Sequence, residues 1–539
     1  CGQSPLTGIW NEANLGGHWG AELRFAGFDG IVISGKAANP SYLYINGETN
    51  TIELRDGAHL WGKDTFEVFD QLIVETDEKA RAAIIGVAGE KLVKIAGIAS
   101  GGHSHSRLAA RGGMGALMGS KNLKAIVMRG KEKPQYADTK GFHSTVKESN
   151  KFIMDHGPAE SLHLVGTAGG HPTTDKFGDN AIMNWRGGNW TEGTIKTSGK
   201  TMAETILTKH TFCYACPIGC GKAIEVKDGP YKGTWGEGPE YETLCGFGSN
   251  LQCDDLSAIA AMNDWCNRYA IDVISTSSVI AWAFEAFEKG AITTKDTGGI
   301  ELKWGDAEAI IAMIHKIGKR EDIGDVLAEG VRYASRKIGH GTDKYAMHVK
   351  GLEMPYHDPR GFVSMGANYA TASRGACHLE AISYWRGVGI EWQGWQDGDR
   401  QEWIDSKRFD SSLGAQQAID FQNYMTTYNP LGLCKFITKG SFTPDQTAEL
   451  VNKALGWNWT GQDVIDTGAR LFNFKRLINN RLGISAKDDV LPSRLTTEPR
   501  PTGTAAGVLP DMKLMMKDYY RIRKWDANGV PTKEAMLPV

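Results

Sequence analysis

No run in this 539-residue chain approaches the roughly 18 consecutive apolar residues that a membrane-crossing helix requires, so no span is expected. A strong charge of either sign is also missing. The formal net charge of −3 gives no electrostatic reason to expect nucleic acid or an anionic membrane surface as a partner. Cysteine is scarce, nine in the whole chain and not grouped as a disulfide framework, which fits a reducing, cytoplasmic home. The opening residues Cys1-Gly-Gln-Ser-Pro5 carry no Met, basic region or apolar signal core. Internal repeats and low-complexity linkers are absent too. Glycine is in excess: 66 residues are spread along the chain, which implies many points where backbone passes close to something.

The hydrophobic share of 41% is that of a folded globular chain, and the length allows three or four domains' worth of core. The first 130 residues read as β-rich. Short apolar runs at Ile31–Ile33, Tyr42–Ile45, Ile84–Val87 and Ala125–Met128 are separated by Gly, Asn and Asp turns. From about 140 the period becomes helical. Asp254 and Asp255 are placed to cap a helix through Cys266, a second helix runs from about Ser275 to Lys289, and a third opens at Asp306 and stops at Gly318. Residues 323–338 read the same way. The expectation is an α+β chain, with a β-rich domain at 1–139 and mainly helical domains at 140–346 and 347–539.

Three cysteines stand in one short turn, Cys213-Tyr-Ala-Cys216-Pro-Ile-Gly-Cys220. This C-x2-C-x3-C spacing lets three thiolates converge on one inorganic centre, and Pro217 and Gly219 keep the segment out of a regular helix. Cys434 is available as a distant fourth. A zinc site needs the same number of ligands but usually shows two C-x2-C knuckles, and unliganded thiols are the third reading. In Arg111-Gly-Gly-Met-Gly-Ala-Leu-Met-Gly-Ser-Lys121, close glycines expose backbone N–H groups beside two cations. That composition suits an anion loop or a tight turn, and matches neither a P-loop nor a dinucleotide fingerprint. Glu237-Gly-Pro-Glu240-Tyr-Glu242 crowds three carboxylates, either a source of a general base or a solvated acidic turn. His103 and His105 form an H-x-H pair without an evident third ligand.

Taken together, Arg111–Lys124, Cys213–Cys220, Gly238–Glu242, Asp358–Gly361, Leu431–Phe436 and the tail Trp525–Glu534 resemble, in order, the signatures of the tungsten-containing aldehyde:ferredoxin oxidoreductase family. The resemblance covers essentially the whole chain and implies a cofactor at the domain junction: tungsten, with molybdenum as the alternative, held by two pterins. It also implies a [4Fe–4S] cluster on Cys213, Cys216, Cys220 and Cys434, and an Mg2+ ion between the pterin phosphates, bound by backbone oxygens at Asn14 and Gly112. The matching pterin-contacting positions are Asn14, Gly16, Arg111, Gly112, Gly113, Asn267, Asp272, Asn429 and Leu433. Ala270 and Ile271 depart from the family's Gly-Leu in the first of two pterin segments. His357 stands where some members carry tyrosine, and the chain begins several tens of residues into the family's length, after an arginine that meets the cofactor.

The implied reaction interconverts small aldehydes and carboxylic acids. Glu240 is expected as the acid/base with Glu242 as the alternative, His378 as the donor that polarises the carbonyl, and His357 at the substrate. Ferredoxin or a ferredoxin-like iron–sulfur subunit is the implied electron partner, with a flavin subunit or a homo-oligomer as further arrangements. Reduction of an aryl-CoA within the family, or a cluster-only electron carrier outside it, are the rival functions.

Overall fold

The computed structural model describes residues 1–155, 157–388, 390 and 400–536. Its N-terminal part is a six-stranded mixed sheet built from β1 (Ser41–Asn46), β2 (Thr51–Asp56), β3 (Arg81–Ile84), β4 (Ile98–Ser100), β5 (Arg107–Ala109) and β6 (Leu123–Arg129), in the order β2-β1-β6-β3-β4-β5. Only the β1–β6 pair is parallel. Side chains alternate across a strand, and in the central β6 both sets are buried, hence the unbroken apolar run Ala125–Met128. Ala125 and Val127 join Tyr42, Tyr44 and helix α1 (Thr65–Glu75) on one face, while Ile126 and Met128 join Ile45, Ala26 and Met118 on the other. The run Ile31–Ile33 forms no strand; Val32 is almost fully exposed, and the segment pairs with no sheet neighbour.

Helix α2 (Met114–Ser120) follows the glycine loop. The helical part contains α3 (Leu256–Tyr269), α4 (Val273–Glu288) and α5 (Ala307–Lys319), N-capped by Asp255, Asp272 and Asp306, each accepting backbone N–H bonds. Two boundaries differ from the sequence reading. α5 runs past Gly318 to end at Arg320 in the left-handed conformation, because Gly318 is needed where the Tyr269 ring presses on the helix. The segment 323–338 is two helices, Ile323–Leu327 and Val331–Ile338, divided by Gly330 at φ 84°. The C-terminal part is organised around α6 (Ser411–Leu431), which packs on helix Gly461–Arg481.

The parts are stitched together by backbone and charge. Gly97 N–H donates to Ala270 O (2.6 Å) and Asp272 N–H to Ile95 O (3.0 Å), so the sheet domain grips the α3–α4 corner. Between the helical parts, fully buried Glu285 accepts from Arg494 Nη1 (2.9 Å) and Nη2 (2.8 Å), Asn184 Nδ2 (2.6 Å) and Lys289 Nζ (2.7 Å). Burial alone would push this carboxyl up; Arg494, Lys289 and Asn184 outweigh it and bring it down to about 2. A carboxyl depressed on folding stabilises above its ordinary value of 4.5, and the contribution is lost as pH falls from there through about 2. Arg494→Met therefore costs about 3 kcal/mol at neutral pH, and flattens the acid side of the stability–pH curve, as denaturant titrations at stepped pH will read.

Candidate active site

The cysteine triplet occupies the connection between β7 (Leu207–Thr211) and β8 (Gly221–Glu225), strands of a small antiparallel sheet completed by β9 (Trp235–Glu237). Cys434 follows the end of α6, and its neighbours Phe436 and Ile437 pack in the same apolar cluster as Cys216 and Cys220. Electrostatic coupling of Cys434 with Cys213, Cys216 and Cys220 puts the four thiols in one small volume, and none is in a disulfide. Burial pushes the Cys220 thiol up, and pushes Cys434 up to about 12. For Cys213 burial is overcome by His105, Arg107 and a 3.2 Å bond from Gly17 N–H, which bring it down to about 7.

Among the described residues, the one group of three or more His, Cys, Asp or Glu ligand atoms lying within 4.8 Å of one another is Glu242, His357 and His378. The cysteine sulfurs are thus spread wider than the ~3.8 Å edges of a tetrahedral zinc–sulfur site. Cys434 and the Glu240 carboxylate are surrounded by protein yet open to water, as side chains lining a hollow are.

The two candidate glutamates part company. Glu240 accepts from Thr167 Oγ1, lies 3.7 Å from Arg107 Nη1 and faces the cysteine side. Glu242, two residues on, turns into an aromatic core. Its Oε2 accepts from Tyr356 N–H (3.0 Å), while Oε1 lies 3.4 Å from His378 Nε2 and 3.8 Å from His357 Nε2 and has no hydrogen bond. Burial raises both carboxyls above the ordinary glutamate range. Burial also holds His378 well below the ordinary imidazole value, helped by His357, Arg111, Arg374 and Lys435, so it is neutral. Its Nδ1 is buried and unpartnered.

The glycine loop turns at Gly112 (φ 83°) and Gly113 (φ 81°). A Cβ on Gly112 would stand 2.1 Å from Asn11 Oδ1, so close approach and backbone conformation both demand glycine there. Arg111 is buried and donates from Nη2 to Glu353 O (2.5 Å). Its Nε stands 3.7 Å from Asp272, and Nε and Nη1 make no hydrogen bond, leaving a cationic edge for an anion. Asn14 Nδ2 donates to Asn429 Oδ1 (2.8 Å), and Gly16 sits beside Cys213, so the 11–17 loop bridges the end of α6 and the cysteine turn. Asn267 lies in the last turn of α3, whose carbonyl accepts from Thr65 Oγ1 (2.9 Å), and Leu433 closes α6 with its N–H on Tyr428 O (3.0 Å). The Gly112 carbonyl accepts from Ser4 Oγ (2.7 Å).

Three side chains escaped the sequence reading. Arg107 binds Glu237 at 2.6 Å and faces Cys213 and Cys220. Arg374 donates to Glu12 O (2.6 Å) and Cys377 Sγ (2.8 Å), with Nε unpartnered. Asp179 holds His357 Nδ1 at 2.6 Å. The H-x-H pair diverges: His103 engages Asp264 at 2.8 Å, while His105 turns to Cys213 and Glu237.

Residues 1–130 match the model of the aldehyde ferredoxin oxidoreductase N-terminal domain, and residues 144–537 that of the same enzyme's domains 2 and 3. The chain is 39% identical over 539 residues to the tungsten-containing aldehyde ferredoxin oxidoreductase of Pyrococcus furiosus, covering 99% of this chain and 85% of that protein. Against the protein of that name from Thermococcus kodakarensis, identity is 38% with the same coverage. Its fold is like that of the active-site complex BamBC of benzoyl coenzyme A reductase in complex with 1,5-dienoyl-CoA, with a TM-score of 0.81 and 23% identity over 99% of this chain and 84% of that one.

The departure at Ala270 has a measurable cost. Ala270 ends α3 at φ 52°, the left-handed role that Gly432 (φ 68°) fills at the end of α6. Ala270→Gly is expected to raise stability by about 0.5–1 kcal/mol, the relief of a left-handed Cβ less the added freedom of the unfolded chain. Chemical denaturation will show this as a higher midpoint at unchanged slope.

Proposed function

The chain belongs to the aldehyde ferredoxin oxidoreductase family, and we propose that it is the oxidoreductase that interconverts aldehydes and carboxylic acids with a tungsten pterin cofactor. The observation that carries this reading is the pairing of a neutral, buried His378 with a half-buried Glu242 at 3.4 Å, beside a cationic loop and four neighbouring thiols. When bound, the tungsten pterin would supply the two-electron acceptor, and a [4Fe–4S] group the outlet for single electrons. Molybdenum remains the alternative metal.

Arg111, with Gly112 and Gly113, would hold pterin phosphate. Asp272, Asn267, Asn429, Leu433, Asn14 and Gly16 are the further pterin contacts proposed, and Asn14 and Gly112 are the candidates for Mg2+. Cys213, Cys216, Cys220 and Cys434 would hold the cluster. In the aldehyde-oxidising direction, His378 donates its single N–H to the carbonyl oxygen and makes the carbon electrophilic. Glu242 takes a proton from the attacking water, a role for which its raised pKa suits it at neutral pH. Glu240, turned to Arg107 and Thr167 on the cysteine side, tunes charge near the cluster. A ferredoxin or ferredoxin-like subunit is the proposed electron partner.

Two measurements test the reading. Elemental analysis of anaerobically purified protein is expected to find about one tungsten or molybdenum and four irons per chain; zinc without iron, or iron alone, sinks it. Glu242→Gln is expected to lower kcat for aldehyde oxidation by about 10²-fold or more, and Glu240→Gln by less than about tenfold, in steady-state assays with a viologen acceptor. The reverse ranking would return the acid/base role to Glu240.

A further inference from the structure

Behind the proposed acid/base stands a fully buried carboxylate. Asp179 Oδ2 lies 2.6 Å from His357 Nδ1, and His357 Nε2 lies 3.8 Å from Glu242 Oε1. The imidazole is clamped between Tyr384 (centroids 3.7 Å apart, planes 23°) and Tyr241 (4.8 Å, 21°), while Tyr369 Oη donates to its backbone carbonyl (2.9 Å). Ring orientation is therefore fixed, with one nitrogen toward each carboxyl group. A carboxylate on Nδ1 selects the tautomer with hydrogen there, which leaves the Nε2 lone pair facing Glu242.

We propose that Asp179 and His357 form a carboxylate–imidazole pair that relieves Glu242 of the proton it takes from water. The inference rests on the aldehyde-oxidising reading above and adds to it the route by which Glu242 is returned to its basic form. Oxidation of one aldehyde by water yields one acid, two electrons and two protons. The two electrons go to the bound cofactor together with the proton of the aldehyde C–H, and the proton removed from water arrives on Glu242. That proton passes from Glu242 Oε1 to His357 Nε2 once a small rotation of the carboxyl group closes their 3.8 Å separation to hydrogen-bond distance. The Glu242 O–H bond breaks as the N–H bond forms, the carboxylate is regenerated, and the resulting imidazolium is neutralised by Asp179. The proton rests on His357 until the product leaves, then departs to water entering the emptied site.

The charged and titratable groups around the pair come from several elements. Asp179 has Asp358 and Arg408 near it, Glu242 has Asp272 and Arg111, and His378 lies with its centroid 5.4 Å from His357. Tyr241 brings Cys245 behind it, and Tyr384 brings Cys377. Asp358 is committed to Arg360 (2.7 Å) and Arg500 (2.8 Å), so Asp179 is the carboxylate left to serve His357. Burial raises the Asp179 carboxyl and His357 opposes that rise, the balance of a carboxylate kept for one cationic partner. No other group in the catalytic proposal uses it.

The test compares kcat–pH profiles of the holoenzyme and of Asp179→Asn, with benzaldehyde or acetaldehyde and a viologen acceptor. Without a carboxylate to neutralise the imidazolium, kcat should fall at least about tenfold with KM within about twofold, and the acid limb should move to lower pH. Asp179→Glu, which restores the charge, should recover part of both. A merely structural role would lower kcat evenly across pH or raise KM, and either result overturns the pair. Should Asp179→Asn lose its metals or melt early, His357→Gln is read in its place, with the same loss of kcat and the same shift of the acid limb required. A parent enzyme that turns over no aldehyde overturns the functional reading. An active parent with a superimposable Asp179→Asn profile overturns the pair alone.

Discussion

The cysteine side of the molecule depends on one guanidinium. Arg107 leaves the edge strand of the N-terminal sheet and enters a region crowded with groups that carry or acquire negative charge: Glu237, Glu240, Cys213 and Cys220. Unpaired, these would repel one another in a poorly hydrated space, where the penalty for an uncompensated charge runs to several kcal/mol. With Arg107 in place, Glu237 stays ionised against the drive of burial, and the Cys213 thiol becomes acidic. The same side chain fastens the sheet domain to the small sheet that carries the triplet. Charge neutralisation and domain attachment are thus one interaction.

Much of this was legible in the sequence, for identifiable reasons. A strand buried on both faces leaves an unbroken apolar run, and β1 and β6 were readable from theirs. A run alone does not suffice, as Ile31–Ile33 shows: Ile31 and Ile33 pack against the sheet's apolar face while Val32 is left in solvent. Asp255 and Asp306 announced helix starts because few residues other than Asp, Asn, Ser and Thr cap so well. The stop of α5 was hidden, since whether Gly318 ends a helix or makes room for Tyr269 is decided by a chain segment some fifty residues away. The four cysteines were legible because thiolates are rare and their chemistry narrow.

The acids were not. Glu240 and Glu242 differ by two positions in an irregular stretch, and only the packing of Tyr241 between them in the aromatic core decides which carboxylate faces His378. Arg107, Arg374 and Asp179 carried no motif because each acts through a partner distant in sequence: Glu237, Glu12 and His357. Buried ionic partners of this kind are matched in space, and a single sequence displays charge without its partner. The resemblance to a family located the region; three-dimensional placement shows which atoms come together.

α6 ends in a short tract with two tasks. Asn429 reaches the N-terminal loop, and five residues later Cys434 joins the sulfur group, with Gly432 making the bend between them. Both lie on one short tract, at the end of a helix that packs on helix Gly461–Arg481. The tract is a gauge block: the separation between what Asn429 touches and what Cys434 binds is set by covalent geometry rather than by the docking of domains. Since the rate of electron transfer falls steeply with separation, such a block would keep that rate steady while the rest of the protein breathes.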